Sequence, residues 1–237
     1  RARAPGQTQE QWRAGGVMIQ LLLDRGYGAA GVAINSAPTE GVKVVPLSQV
    51  HATFEVLKNP ANRHRAVGFS PEQWHYAFTN TFTEEESLAL YERYHVPASG
   101  NVFWANVLAN VTPGRQDTWV DYHNADRAPL LFISGSEDHL MPPSVQRSNA
   151  KHYKAAATTE VKVYDGYAHL LPAQEGWERI ADDALAWALA HAGAPAATCA
   201  AGTPVRSPPG HPGSRPGCPG GACARSVEGT HHEERAA

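Results

Sequence analysis

Two short stretches carry residue types that could move a proton between them. SGSEDHLMPP follows an apolar run and puts Asp138 four residues past Ser134, and DGYAHLLP follows the next run and puts His169 past the Gly166 turn. Ligands on open parallel sheets bind outside the carboxyl ends of the strands, where both loops are expected. An acid and a histidine on successive strand-end loops form the pair a nucleophile needs. The carboxylate fixes the imidazole tautomer and supports its positive charge, and the other ring nitrogen takes the nucleophile's proton. Taken singly, each residue has a plainer reading, since an Asp in a turn is most often solvated and a His is often a packed side chain. Glu137 is the nearest rival acid, and Asp117, Asp121 and Asp126 precede the strand and read as connector surface.

The elements that must position this pair are legible in outline. GGVMIQLLLDRG, from Gly15, is a helix apolar nearly all round and ended by Gly26. AAGVAI (29–34) and PLLFISG (129–135) are continuous apolar runs, the pattern of strands covered on both faces of a parallel sheet, whereas EVKVYDG (160–166) alternates and belongs nearer an edge. Ser144 is placed to cap a helix running to about Ala155, and EGWERIADDALAWALAH sets Ile180, Ala184, Trp187 and Ala188 on one helical stripe. This order predicts an α/β fold, a partial doubly wound, mostly parallel sheet.

Residues 38–127 interrupt the sheet. SPEQWHYAFTN holds a Ser70–Gln73 capping box with Pro71 at the first helical position, and TEEESLALYERY holds a Thr83–Glu86 box. Aromatics at helical spacing, Trp74 with Phe78 above all, make this insertion a candidate lid over the carboxyl edge of the sheet. Packing within a helical layer is the alternative for both side chains.

Laid together, AGGVMIQLLLDRG, GSEDHLMPP and GYAHLLP resemble the α/β-hydrolase superfamily, whose triad runs in the chain order Ser, Asp or Glu, His. The resemblance covers about 12–191, the second half of that family's domain with its lid. It implies Asp138 as the acid, since Glu137 falls out of register, and His169 as the base. Ester or amide bonds of small apolar substrates would be the target, a small molecule held under Trp74 and Phe78, with no cofactor and no metal. The family's Gly-x-Ser-x-Gly elbow would fall on QWRAG, with Gln11 at the first glycine, Arg13 at the serine and Gly15 at the second; Ala14 would supply one oxyanion-hole N–H. No apolar strand precedes Arg13, and a guanidinium stays protonated and cannot attack. Ser36 ends a neighbouring run without a glycine-framed elbow, and Ser134 and Ser136 sit beside the acid, where hydroxyls usually bond local backbone. The expectation is therefore a chain carrying acid, base and lid without a nucleophile, inactive as it stands. A non-catalytic binding module with a hydrolase-like cavity, or a fragment unstable alone, are the other readings.

The rest of the 237 residues narrows the class. Twenty Lys and Arg against 23 Asp and Glu, with no run of one sign, exclude the basic face of a nucleic-acid binder. The apolar runs are too short to cross a membrane, and no charged-then-apolar leader stands before Gly15. Residues 1–14 show no helical or strand period and are expected to be a disordered or non-native lead-in. From residue 192 the composition turns to Gly, Pro, Ala and Arg and predicts a disordered tail. That tail holds all three cysteines, Cys199, Cys218 and Cys223, with His211, His231 and His232 nearby; the C-x4-C spacing is a weak zinc signal. The cysteine-free body at 15–191 suits a reducing compartment, so a cytoplasmic location is the expectation.

Overall fold

The computed structural model describes residues 9–101, 104, 112 and 114–193. The expected tail beyond Gly193, with its cysteines and histidines, and the first eight residues lie outside the described residues. Three parallel strands form the sheet: β1 (Gly31–Ile34), β4 (Leu130–Gly135) and β5 (Thr159–Tyr164), in the order β1-β4-β5. All six residues of β4 are buried, as its unbroken apolar run requires, because it is paired on both edges and covered on both faces. β5 alternates half-buried with exposed residues and takes an edge.

Side-chain alternation sorts the layers. Leu130, Phe132 and Ala33 face α1 (Gln9–Asp24) and α5 (Pro143–His152), meeting Leu23 and Tyr153. Leu131 and Ile133 face the other way, onto Leu171 and onto Ile180 of α6 (Trp177–His191), with Ala184 and Trp187 against the same cluster. The result is an α/β fold of three layers.

Between β1 and β4 lies the helical insertion: α2 (Leu47–Leu57), the two-residue strands β2 (Ala66–Val67) and β3 (Ala98–Ser99), α3 (Pro71–Phe78) and α4 (Glu84–Tyr94). Both capping boxes form, Ser70 with Gln73 and Thr83 with Glu86. The insertion packs its aromatic core, Phe69, Trp74 and Phe78, against Val17 of α1 and against Leu140, Met141 and Val145 at the start of α5.

Three details differ from the sequence reading. α1 begins at Gln9, so 9–14 are helical backbone where a lead-in was expected; the polar QEQW stretch hides the start because it lacks an apolar period. Ser144 is not the cap of α5: the chain enters the helix from Pro142 with Pro143 in the first turn, and no side chain caps it. α2 carries no sequence signal at its start either, since Pro46 precedes it without a side-chain cap.

One histidine in the insertion has a built-in acidity response. His95 Nε2 accepts the Phe69 N–H at 3.0 Å, its ring stacks on Tyr91 at 4.5 Å, and the Tyr91 hydroxyl donates to the Phe69 carbonyl at 2.9 Å. Only a neutral imidazole can accept at Nε2, and burial pushes its pKa below 6.5. The folded pKa is thus depressed relative to the unfolded chain. The contribution of this bond is fully present above about pH 6.5 and is lost as the pH falls through the folded pKa. Melting temperatures measured from pH 8 to pH 5 should fall more steeply for the wild type than for His95→Gln. Equal slopes would show that the Phe69–His95 bond carries none of the effect.

Candidate active site

Asp138 and His169 meet. β4 ends at Gly135 and its loop returns Asp138 to the sheet edge; β5 ends at Tyr164 and its loop returns His169 beside it. His169 Nδ1–H donates to Asp138 Oδ2 at 2.7 Å, with the two side chains 6% and 0% exposed. The other carboxylate oxygen, Oδ1, accepts the N–H groups of Leu140 at 2.8 Å and Met141 at 2.7 Å. A buried carboxylate with both oxygens engaged is held against rotation, so its partner imidazole is held too. With the carboxylate on Nδ1, Nε2 is the ring nitrogen left over, bonded to none of the described residues. That is the geometry in which an imidazole can serve as a general base.

The two loops are zipped to one another. Ser136 N–H donates to the Tyr164 carbonyl at 2.9 Å and Glu137 N–H to the Tyr167 carbonyl at 3.0 Å. The approach is so close that a Cβ at Gly135 would overlap the Tyr167 carbonyl oxygen, so the position needs glycine. The insertion reaches the same place from above. The Phe78 carbonyl accepts the Leu170 N–H at 2.9 Å, and the Phe78 ring meets the His169 ring at 5.4 Å, inclined by 64°.

Trp74 takes the packing alternative. It is 1% exposed and sits among Phe78, Tyr91 and His95, with ring centroids 5.0, 5.6 and 5.8 Å away. Phe78, one helical turn on, is buried to the same 1% in the same core, and its ring also meets that of His169. A cleft of about 750 Å³ lies between α4 and the 165–175 segment, lined among others by Phe82, Glu86, Leu90 and Tyr167. Neither Asp138 nor His169 lines it.

The rival residues are placed elsewhere. Glu137 is exposed and accepts from the Ser136 hydroxyl at 2.9 Å; Asp117, Asp121 and Asp126 are exposed on the connector. Ser36 is fully buried, donates to the Ala37 carbonyl at 2.9 Å and accepts from Gln20 Nε2 at 3.1 Å. Ser134 bonds the Gly135 carbonyl, and Ser136 bonds Glu137 and Asp165. None of these hydroxyls reaches His169. Arg13, Ala14 and Gly15 lie inside α1, where the backbone is helical, and not on a strand-to-helix turn.

Sequence reasoning passed over Asn35. It follows β1 directly, donates from Nδ2 to the His169 carbonyl at 2.8 Å and accepts at Oδ1 from the Gly135 N–H at 3.3 Å. Its one sequence signal is an Asn at the end of an apolar run, since Asn takes the left-handed conformation more readily than most residues.

No family model matches the chain, and no curated protein matches it. Among solved structures it is similar to a monoacylglycerol lipase from Paleococcus ferrophilus, at 18% identity and a TM-score of 0.47 over 74% of this chain and 65% of that one. A soluble variant of monoglyceride lipase from Saccharomyces cerevisiae, in complex with a substrate analog, is similar at 12% identity and a TM-score of 0.48 over 74% and 59%. The 2-hydroxy-6-oxo-6-phenylhexa-2,4-dienoate hydrolase of Rhodococcus sp. strain RHA1 is similar at 16% identity and a TM-score of 0.45 over 74% and 60%. This chain thus spans between 59% and 65% of the length of those three.

Proposed function

We propose that this chain is the carboxyl-terminal part of an α/β-hydrolase and supplies the acid and the base of a serine-hydrolase triad. The observation that carries this reading is the buried Asp138–His169 pair at the carboxyl ends of adjacent parallel strands, with Nε2 left to accept a proton. In such a site His169 takes the proton of an attacking hydroxyl at Nε2 and later returns it to the leaving alcohol or amine. Asp138 keeps the Nδ1 tautomer and offsets the charge that forms on the ring. The Phe78 ring packs in a tilted, edge-type contact against the imidazole. The substrate class is an ester or amide with a small apolar portion held beneath the insertion. The nucleophile and the oxyanion hole would come from polypeptide that precedes α1, since none of the described hydroxyls reaches His169.

The reading is tested by expressing the chain together with the polypeptide encoded upstream of residue 1. Hydrolysis of p-nitrophenyl butyrate and fluorophosphonate labelling should then appear. His169→Ala and Asp138→Ala should each abolish the hydrolysis. Activity indifferent to His169, or an upstream sequence without a Gly-x-Ser-x-Gly strand-end turn, would refute it.

A further inference from the structure

Asn35 is the only non-glycine residue among those described with a positive φ, 46°. It is 3% exposed and stands where the ends of β1 and β4 and the histidine loop come together. Its backbone N–H continues the ladder to the Ile133 carbonyl at 2.8 Å, while its side chain leaves the ladder. Nδ2 donates to the carbonyl of His169 itself, and Oδ1 accepts from Gly135, the residue that opens the acid loop. We propose that Asn35 is a positioning residue for the Asp138–His169 pair, setting the height of the histidine backbone above the acid loop. The proposal rests on reading that pair as the base of the site.

The residue type is informative. Glycine would take a positive φ more easily but has no amide to offer. Alanine has neither the amide nor ready access to the left-handed region. Aspartate could accept from Gly135 but would set a carboxylate against the His169 carbonyl with no proton to share. Of these residues, asparagine alone tolerates the backbone, donates and accepts. The other anchors of the loop hold its neighbours: Ala168 N–H donates to Gln174 Oε1 and Leu170 N–H to the Phe78 carbonyl. Without Asn35 the loop keeps those bonds, but the histidine loses its own backbone tie to the acid side. An unpaired buried carbonyl then favours a shift toward water, and the imidazole shifts with it. Backbone strain maintained where three elements converge is the pattern found at functional sites.

The test reads the imidazole directly and needs no turnover. In the full chain with labelled histidine, the His169 Nδ1 proton, hydrogen-bonded to a buried carboxylate, should give a far-downfield NMR resonance, assigned by its loss in His169→Gln. Asn35→Gly, which relieves the positive φ and removes only the amide, should lose this resonance or exchange it with water roughly tenfold faster. Far-UV circular dichroism should stay unchanged. Asn124→Ala serves as the control. Asn124 makes a similar pair of side-chain bonds, donating to the Asp24 carbonyl at 2.9 Å and accepting from Asp126 N–H at 3.0 Å, away from the site. That variant should keep the resonance. An unchanged resonance and exchange rate in Asn35→Gly would overturn the proposal, and so would equal loss in Asn124→Ala. Absence of the resonance in the wild type would instead overturn the base pair on which it rests.

Discussion

Arg13→Ser should leave this chain without measurable esterase turnover, indistinguishable from the wild type and from His169→Ala. Removing the serine of a triad protease lowers kcat by about 10⁶, and the rate that survives relies on an oxyanion hole. A restored hydroxyl would have to recover that factor from inside α1, where residue 13 has helical backbone. An elbow works because a strained turn lifts the hydroxyl clear of the helix and aims the next N–H at the forming oxyanion. In a helix interior the Ala14 N–H points along the axis, toward the carbonyl four residues back. The hydroxyl would have neither the turn nor the donor. The measurement is p-nitrophenyl butyrate hydrolysis with fluorophosphonate labelling of all three proteins. Clear wild-type turnover abolished by His169→Ala would contradict the expectation and point to a second nucleophile. Ser36 would then be tested first, although its hydroxyl is now committed to Ala37 and Gln20.

Asp138→Ala should destabilise the fold by about 3–5 kcal/mol, whatever its effect on chemistry. The substitution strands three buried donors at once: the Leu140 and Met141 N–H groups and His169 Nδ1–H. Each unsatisfied donor costs roughly 1–3 kcal/mol, and relaxation of the loop recovers part of the sum. For a domain of this size the melting temperature should drop by roughly 10 °C. Asp138→Asn separates stability from tautomer. Its carbonyl still accepts from Leu140 and Met141, so the cost should be nearer 1 kcal/mol. Its amide must donate to Nδ1, which moves the ring proton to Nε2 and removes the acceptor. In the upstream-extended protein that exchange should lower kcat by about 10⁴ while leaving the fold intact. Equal melting temperatures for wild type and Asp138→Ala would mean that the carboxylate is not holding the loop.

How much of this was legible before the structure depends on how local each signal is. β4 could be read because burial on both faces leaves an unbroken apolar run, and β5 because an edge alternates. The capping boxes of α3 and α4 could be read because a cap is a four-residue interaction complete in itself. Asp138 and His169 followed from strand ends plus a resemblance, since parallel topology brings adjacent strand-end loops to one edge. Asn35 could not be read, because its conformation is imposed by partners 100 and 134 residues away. Trp74 and Phe78 share one helix and one period, so the local pattern could not say which of them meets the histidine. That is decided by the long-range packing of the core that both share with Val17 of α1 and Val145 of α5. The start of α1 was obscured for a related reason, because QEQW lacks the apolar spacing that marks the rest of the helix.

The contact between Gly135 and the Tyr167 carbonyl has a consequence for how this gene can drift. Any coding change at that codon installs a Cβ where another backbone already sits, and no rotamer avoids it, because the clash precedes χ1. A saturation library read out by folding should therefore show an empty column at Gly135, with alanine as intolerable as tryptophan. At Glu137, two residues away and exposed, nearly every substitution should pass. The acid loop would thus combine a freely varying position with an immovable one. A second-site change elsewhere could not relieve Gly135 unless it moved the whole histidine loop.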